Sequence, residues 1–206
     1  MQAGKSGHPV PRARRSDAIA NRARLLEAAR DAFADLGPTA EVTYIAERAR
    51  VGVGTIYRHF GSKEGLLREV VLEAVGEFER ELGDSERVAP PVAALRAFLT
   101  ALLHATESYG WLFDAMLSGQ LPEEASAGIE GVDAGRRLST ILDRGVASRT
   151  FHRDLDLNIA SNLLLGLPLT WKYGELRESM TVADAVDRTI EVFLSGATGG
   201  RSSAGL

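Results

Sequence analysis

Residues 45–60 read IAERARVGVGTIYRHF, and residues 61–67 continue GSKEGLL. This stretch predicts two short helices, about Val42 to Ala49 and Val53 to about Phe60, joined by a tight connection at Arg50 to Gly52. These are the dimensions of a helix-turn-helix. In the second helix Ile56 and Phe60 stand four apart and face inward with Val53 nearby, which leaves Thr55, Tyr57, Arg58 and His59 for the outside. That outer set is rich in hydrogen-bond donors. A helix that enters a major groove needs small residues at its leading end, and Gly52 and Gly54 supply them; Thr55 can then touch a base or a phosphate. Gly61-Ser62 breaks the chain, and a long helix begins at Lys63 with Ser62 as its cap. It carries Leu66, Leu67, Val70, Val71, Ala74 and Phe78 inward and is expected to end at Gly83.

On the N-terminal side a helix is expected from Ser16 or Asp17, with Leu25, Ala29, Ala32 and Leu36 on its inner face and Ile19, Leu26 and Phe33 broadening it. Gly37-Pro38 stops it. Residues 1–15, with Gly4, Gly7, Pro9, Pro11 and then Arg12, Arg14 and Arg15, can bury nothing and predict a mobile basic arm. The arm arginines could follow a phosphate backbone, enter a minor groove, or do nothing specific. On the C-terminal side apolar-periodic segments follow at about 90–108, 111–119, 122–148, 156–174 and 181–195, and residues 196–206 predict a disordered tail. No stretch alternates long enough for a strand. The expectation is an all-α fold of about nine helices: a three-helix unit over 16–62 that carries the helix-turn-helix, and a helical body over 63–195 with the helix from Lys63 as connector; the resemblance described below implies that the first binds DNA and the second binds a ligand and dimerises.

The charge divides at the same place. Residues 1–63 hold 11 Lys/Arg against 6 Asp/Glu, a net of +5, whereas residues 64–206 hold 13 against 22, a net of -9. This asymmetry fits a basic module that meets a polyanion and an acidic body that does not, although a solvated basic tail would give the same sum. With no cysteine in 206 residues, disulfides, thiolate zinc sites and cysteine nucleophiles are excluded. No apolar run approaches the roughly 20 residues of a spanning helix, so a cytoplasmic protein without membrane partners is expected.

The string from Ile45 to Leu67 closely resembles the DNA-binding region of the TetR family of transcriptional regulators. The resemblance is strong over about Arg24 to Val71 and extends beyond it only in helix count and spacing. It implies that Thr55, Tyr57 and His59 meet an operator, Tyr57 and His59 mainly on phosphates, and that Lys63 anchors the DNA backbone at a helix start, where free N–H groups also favour an anion. Tyr57 could instead be a half-buried packing tyrosine and Lys63 a solvated one. Thr43 either contacts a phosphate or stays solvated. Two features depart from the family pattern. Arg50 occupies a turn position where the family commonly has glycine; a positive φ there costs about 1 kcal/mol, so either the turn differs or Arg50 gains a phosphate contact. Ala40-Glu41 replaces the usual Ser/Thr pair, leaving Glu41 or Thr39 as weaker caps.

For the body, the resemblance implies a homodimer made by the last two long helices, with Ile159, Leu163, Leu167, Val186, Ile190 and Phe193 as candidates; an intramolecular core would explain the same stripes. It also implies an apolar or aromatic small-molecule ligand that relieves repression, with Phe98, Leu102, His104, Trp111, Phe113, Met116 and Trp171 as pocket candidates. Pro168 should kink its helix. No cofactor or metal is expected. Two other functions are conceivable: a helical ligand- or protein-binding dimer whose DNA binding is impaired, supported only by Arg50, and a small metal-dependent enzyme using His152, Asp154 and Asp156. The last carboxylate also suits a helix cap.

Overall fold

The computed structural model describes residues 12–126, 129 and 131–198, with residues 12–18 and 197–198 as backbone. Of the expected arm and tail, residues 1–11 and 199–206 and the side chains of Arg12, Arg14 and Arg15 lie outside the described residues. The described chain is all-α. α1 spans Arg12–Leu36, α2 Val42–Ala49, α3 Val53–Phe60, α4 Lys63–Arg87 and α5 Pro91–Leu117. They are followed by α6 Glu123–Ser126, α7 Ala134–Ala147, α8 Leu157–Leu165, α9 Leu167–Tyr173, α10 Leu176–Ser179 and α11 Val182–Thr198. α6 and α10 are four-residue turns, so nine longer helices carry the described fold.

α1 begins four residues earlier than expected, at Arg12, because Arg-Ala-Arg-Arg after the last proline of the segment has good helix propensity. Ser16 and Asp17 are therefore interior to the helix and not caps. Its inner face is Leu25, Leu26, Ala29, Ala32 and Phe33, whereas Ile19 and Leu36 are exposed. Gly37 ends it at φ +65, and Thr39 donates to the Leu36 carbonyl at 2.8 Å. Thr39 thus closes α1 and does not cap α2; Glu41 holds the cap position of α2 without a side-chain hydrogen bond.

Two buried clusters organise the molecule. One joins α1 to α4 with Tyr109, Trp111, Leu112 and Ala125. The other gathers Leu82, the first half of α5, and residues of α7, α8, α9 and α11 around Trp171. α4 and α5 run through both. α4 passes Gly83 and ends at Arg87 because α7 clamps its end: Arg144 donates to the carbonyls of Glu86 and Val88, both at 2.9 Å, and Arg137 pairs with Glu79 at 2.7 Å and Glu86 at 2.9 Å. A glycine inside a helix costs only about 1 kcal/mol, less than these bonds return.

Three expected segments are divided differently. α5 is one helix with a kink at Tyr109 (φ -131, ψ 28) where a gap was expected. The 122–148 segment is split into α6 and α7, the latter capped by Asp133 through the Arg136 N–H at 2.8 Å. The 156–174 segment breaks at Gly166 into α8 and α9, with Pro168 in the first turn of α9, where its missing N–H costs nothing. No helix among the described residues is long and apolar enough to cross a membrane.

Candidate nucleic-acid interface and ligand cavity

The connection between α2 and α3 adopts the expected turn. Arg50 takes the left-handed conformation (φ 55, ψ 46), its N–H bonding to Glu47 at 3.1 Å and that of Val51 to Ala46 at 3.0 Å. The glycine-like turn is thus retained by an arginine, at about 1 kcal/mol of backbone cost. Arg50 is exposed and lies with Arg24, Glu27, Asp31 and Arg48 around a hollow between α1 and the end of α2. Thr43 is at the other end of α2, exposed in its first turn.

On α3, Ile56 is fully buried and Val53 and Phe60 pack partly against it. At 3.6 residues per turn this places Gly54, Thr55 and Arg58 opposite the core, with Tyr57 and His59 on the flanks. Tyr57 is 50% exposed. Arg58 is exposed and has no ion-pair partner among the described residues. The Nε2 of His59 is buried without a partner, which leaves Nδ1 as the nitrogen that can face outward. Gly52 and Gly54 have no positive φ, and a Cβ at either would meet nothing of the chain within 4 Å. Neither backbone conformation nor internal packing accounts for these glycines, whereas the approach of an external surface would.

Ser62 caps α4, its Oγ accepting from the Gly65 N–H at 2.9 Å. Lys63 is the first residue of that helix, half-buried beside Pro38, Thr39 and Gln120. A Cβ at Gly65 would lie 2.2 Å from the Phe60 carbonyl oxygen, so the end of α3 rests on the first turn of α4 only because residue 65 has no side chain. Periodicity reveals nothing of this residue; its signal is a glycine in the first turn of a helix, where propensity disfavours one.

In the body, a cavity of about 200 Å³ opens between α4 and the kinked part of α5, with Val75, Phe78, Tyr109, Leu112, Phe113 and Met116 in its walls. Of the sequence candidates only Phe113 and Met116 line it. Trp111 stacks against Phe33 of α1, ring centroids 5.5 Å apart. Phe98, Leu102 and Trp171 are buried in the body cluster, and His104 is exposed. The candidates share aromatic or polar character but not a helix face: positions 105, 109, 112 and 116 look toward α4, while 98 and 102 look toward the body core. Burial, then the hydrogen bond to Glu77, pushes the Tyr109 phenol well above its usual range, so its hydroxyl stays protonated.

The dimer candidates divide too. Ile159 and Leu163 on α8 are 59% and 72% exposed, and with Val192 of α11 they flank an apolar groove of about 380 Å³. Leu167, Val186 and Ile190 are buried in the chain's own core, because the stripe of α11 turns toward α5. Phe193 is half-buried, edge-on to Phe151. The three residues of the enzyme reading do not form a metal cradle: Asp156 accepts from the N–H groups of Asn158 and Ile159, both at 3.0 Å, and His152 Nδ1 is 3.8 Å from Asp154 Oδ2. Among the described residues no group of three His, Cys, Asp or Glu could hold a metal.

A buried helix-turn-helix, with a donor-bearing and glycine-led outer face, joined by one long helix to a cavity-bearing body, defines a DNA-binding transcriptional regulator. The family model described as "Bacterial regulatory proteins, tetR family" matches residues 25–70. The chain is 29% identical over 155 residues to the HTH-type transcriptional repressor KstR of Rhodococcus jostii (strain RHA1), covering 73% of this chain and 71% of that one. Among solved structures it resembles the TetR family regulator PfmR of Thermus thermophilus, with 28% identity, a TM-score of 0.68, and 83% of this chain and 97% of that chain covered. The ketosteroid regulator KstR2 of Mycobacterium tuberculosis, 21% identical with a TM-score of 0.70 over 85% and 94% of the two chains, shares the fold. Residues 25–70 thus match the TetR family of bacterial regulators, and the fold over 83% of the chain resembles that of a TetR family regulator.

Proposed function

We propose that the protein is a cytoplasmic homodimeric repressor that leaves its operator when an uncharged, apolar small molecule fills the cavity between α4 and α5. The observation that carries the DNA half of this reading is the outer face of α3: two glycines that neither backbone conformation nor internal packing calls for, beside an arginine without an ion-pair partner among the described residues. Arg58 at the centre of that face reads bases, Thr55 follows at the leading end, and Tyr57, His59 Nδ1, Thr43 and Lys63 hold phosphates on the flanks. Arg50 is turned to the hollow beside α1 and is the weakest of the contacts expected from sequence. The left-handed turn it preserves removes the ground for an impaired reading head.

Among the described residues the interior is walled by valine, leucine, phenylalanine and methionine, with its one hydroxyl already bonded to Glu77, which favours a hydrocarbon or aromatic ligand over an anion. KstR carries the description of a repressor, and the direction of regulation follows it. The groove of Ile159, Leu163 and Val192 suits a second copy, which a reading helix needs if two half-sites are to be held at once. Selection from random duplexes should return an inverted repeat. A recovered site without dyad symmetry, or no salt-sensitive binding at all, would remove this reading.

Two substitutions test its parts. Gly54→Ala should raise thermal stability by about 0.5–1 kcal/mol, since alanine is the better helix former, yet weaken operator binding at least about 5-fold by holding α3 off the base edges. Equal affinity in fluorescence anisotropy would show that α3 does not approach that closely. Leu163→Asp should convert the dimer to a folded monomer in sedimentation velocity and lower operator affinity with it; a dimer unchanged by this charge would place the interface elsewhere.

A further inference from the structure

Arg30, Glu77 and Tyr109 bring α1, α4 and α5 together at a single point. The Tyr109 hydroxyl donates to Glu77, the Arg30 guanidinium lies 5.8 Å from the centroid of the Tyr109 ring, and Arg30 Nη2 is 3.2 Å from Glu73 and 3.7 Å from Glu77. Tyr109 is also the kink of α5 and a wall of the cavity. Before the kink α5 is packed in the body cluster; from Tyr109 onward it is packed in the cluster that contains α1, α2 and α3. One aromatic ring therefore both lines the cavity and lies within cation–π reach of an arginine of the reading head.

We propose that Arg30, Glu77 and Tyr109 are positioning residues that carry occupancy of the cavity to α1, and so to the angle at which α3 is presented. This rests on the reading of the cavity as a ligand site and adds the route by which it acts. A molecule seated against α4 and α5 displaces the Tyr109 ring, and the ring's hydroxyl draws Glu77, and through its ion pair Arg30, along with it. Both partners are only part-buried and have room to move with the ring, so the relay takes two arrangements, one with the cavity empty and one with it filled. Such a two-state element is what coupling between separate sites requires.

The test needs no knowledge of the natural ligand. Ala105, on the cavity wall, is replaced by phenylalanine to fill the space from within, and the neutral apolar dye N-phenyl-1-naphthylamine reports whether the cavity is open. Operator binding to the selected duplex is then measured for Ala105→Phe alone and in Glu77→Ala and Tyr109→Phe backgrounds, each variant first checked by circular dichroism. Expected is exclusion of the dye by Ala105→Phe, an operator affinity lowered about 5-fold or more, and a reduction of that effect to below about 2-fold in either background. Dye binding that survives Ala105→Phe overturns the cavity reading itself. A filled cavity that lowers affinity equally in all backgrounds, or not at all in the otherwise wild-type chain, leaves the cavity reading intact and overturns the relay. Tyr109→Phe keeps the ring and removes only the hydroxyl, so it decides the matter even where Glu77→Ala does not fold.

Discussion

Gly65→Ala is expected to cost about 3 kcal/mol and to lower the melting temperature by about 6–12 °C for a chain of this length. The added carbon would lie 2.2 Å from the Phe60 carbonyl oxygen, which is backbone at the end of α3 and has no rotamer by which to move aside. Either α3 lifts from the first turn of α4 or that turn unwinds. Unwinding would also break the Ser62 cap, which accepts the N–H of this same residue. Lifting changes the angle between the reading helix and the connector, so operator affinity should fall further than the loss of folded protein accounts for, measured at a temperature where the variant remains folded. A Gly65→Ala protein that melts within about 2 °C of the wild type would mean that the α3–α4 corner is adaptable, and would remove the reason given for glycine at this position.

The difference between what is legible in the reading head and in the body has a physical origin. In the head, short helices are bounded by strong local signals: Gly37-Pro38, Gly61-Ser62, and apolar residues four apart on α3. Two eight-residue helices leave little freedom about which face is buried, and the structure has both with the expected bounds. Even the turn that lacks its glycine keeps its conformation, because the bonds from Arg50 and Val51 back to α2 outweigh a cost of about 1 kcal/mol. In the body the decisive contacts are between segments far apart in sequence. Gly83 reads locally as a stop, yet Arg137 and Arg144, more than fifty residues later, hold the end of α4 in helix. Aromatic residues are the natural place to look for a cavity, but its walls are chosen by a kinked helix that turns Tyr109, Leu112 and Met116 to one side and Phe98 and Leu102 to another. Residue type gives no access to that choice. Gly131 and Asp133, by contrast, are a visible signal for the break before α7.

Phe33→Ala should cost about 3–5 kcal/mol, the usual range for emptying a buried phenylalanine site, and should do so unevenly across the molecule. Phe33 is fully buried and lies against Trp111, which belongs to the second half of α5 but is packed in the head cluster. The other tryptophan, Trp171, is central to the body cluster. Unfolding can therefore be read separately at the two indoles in Trp111→Phe and Trp171→Phe proteins. The cavity left at residue 33 removes contacts from α1 and α5 where they join, while α7, α8, α9 and α11 keep theirs around Trp171. The denaturant midpoint reported by Trp111 should fall clearly below that reported by Trp171, and Trp111 emission should shift to the red before unfolding begins. Equal shifts at both indoles would instead mean that α4 and α5, which run through both clusters, bind the head and the body into one cooperative unit. In that event any signal from the cavity would reach α3 through rigid helices and would not require a hinge at Tyr109.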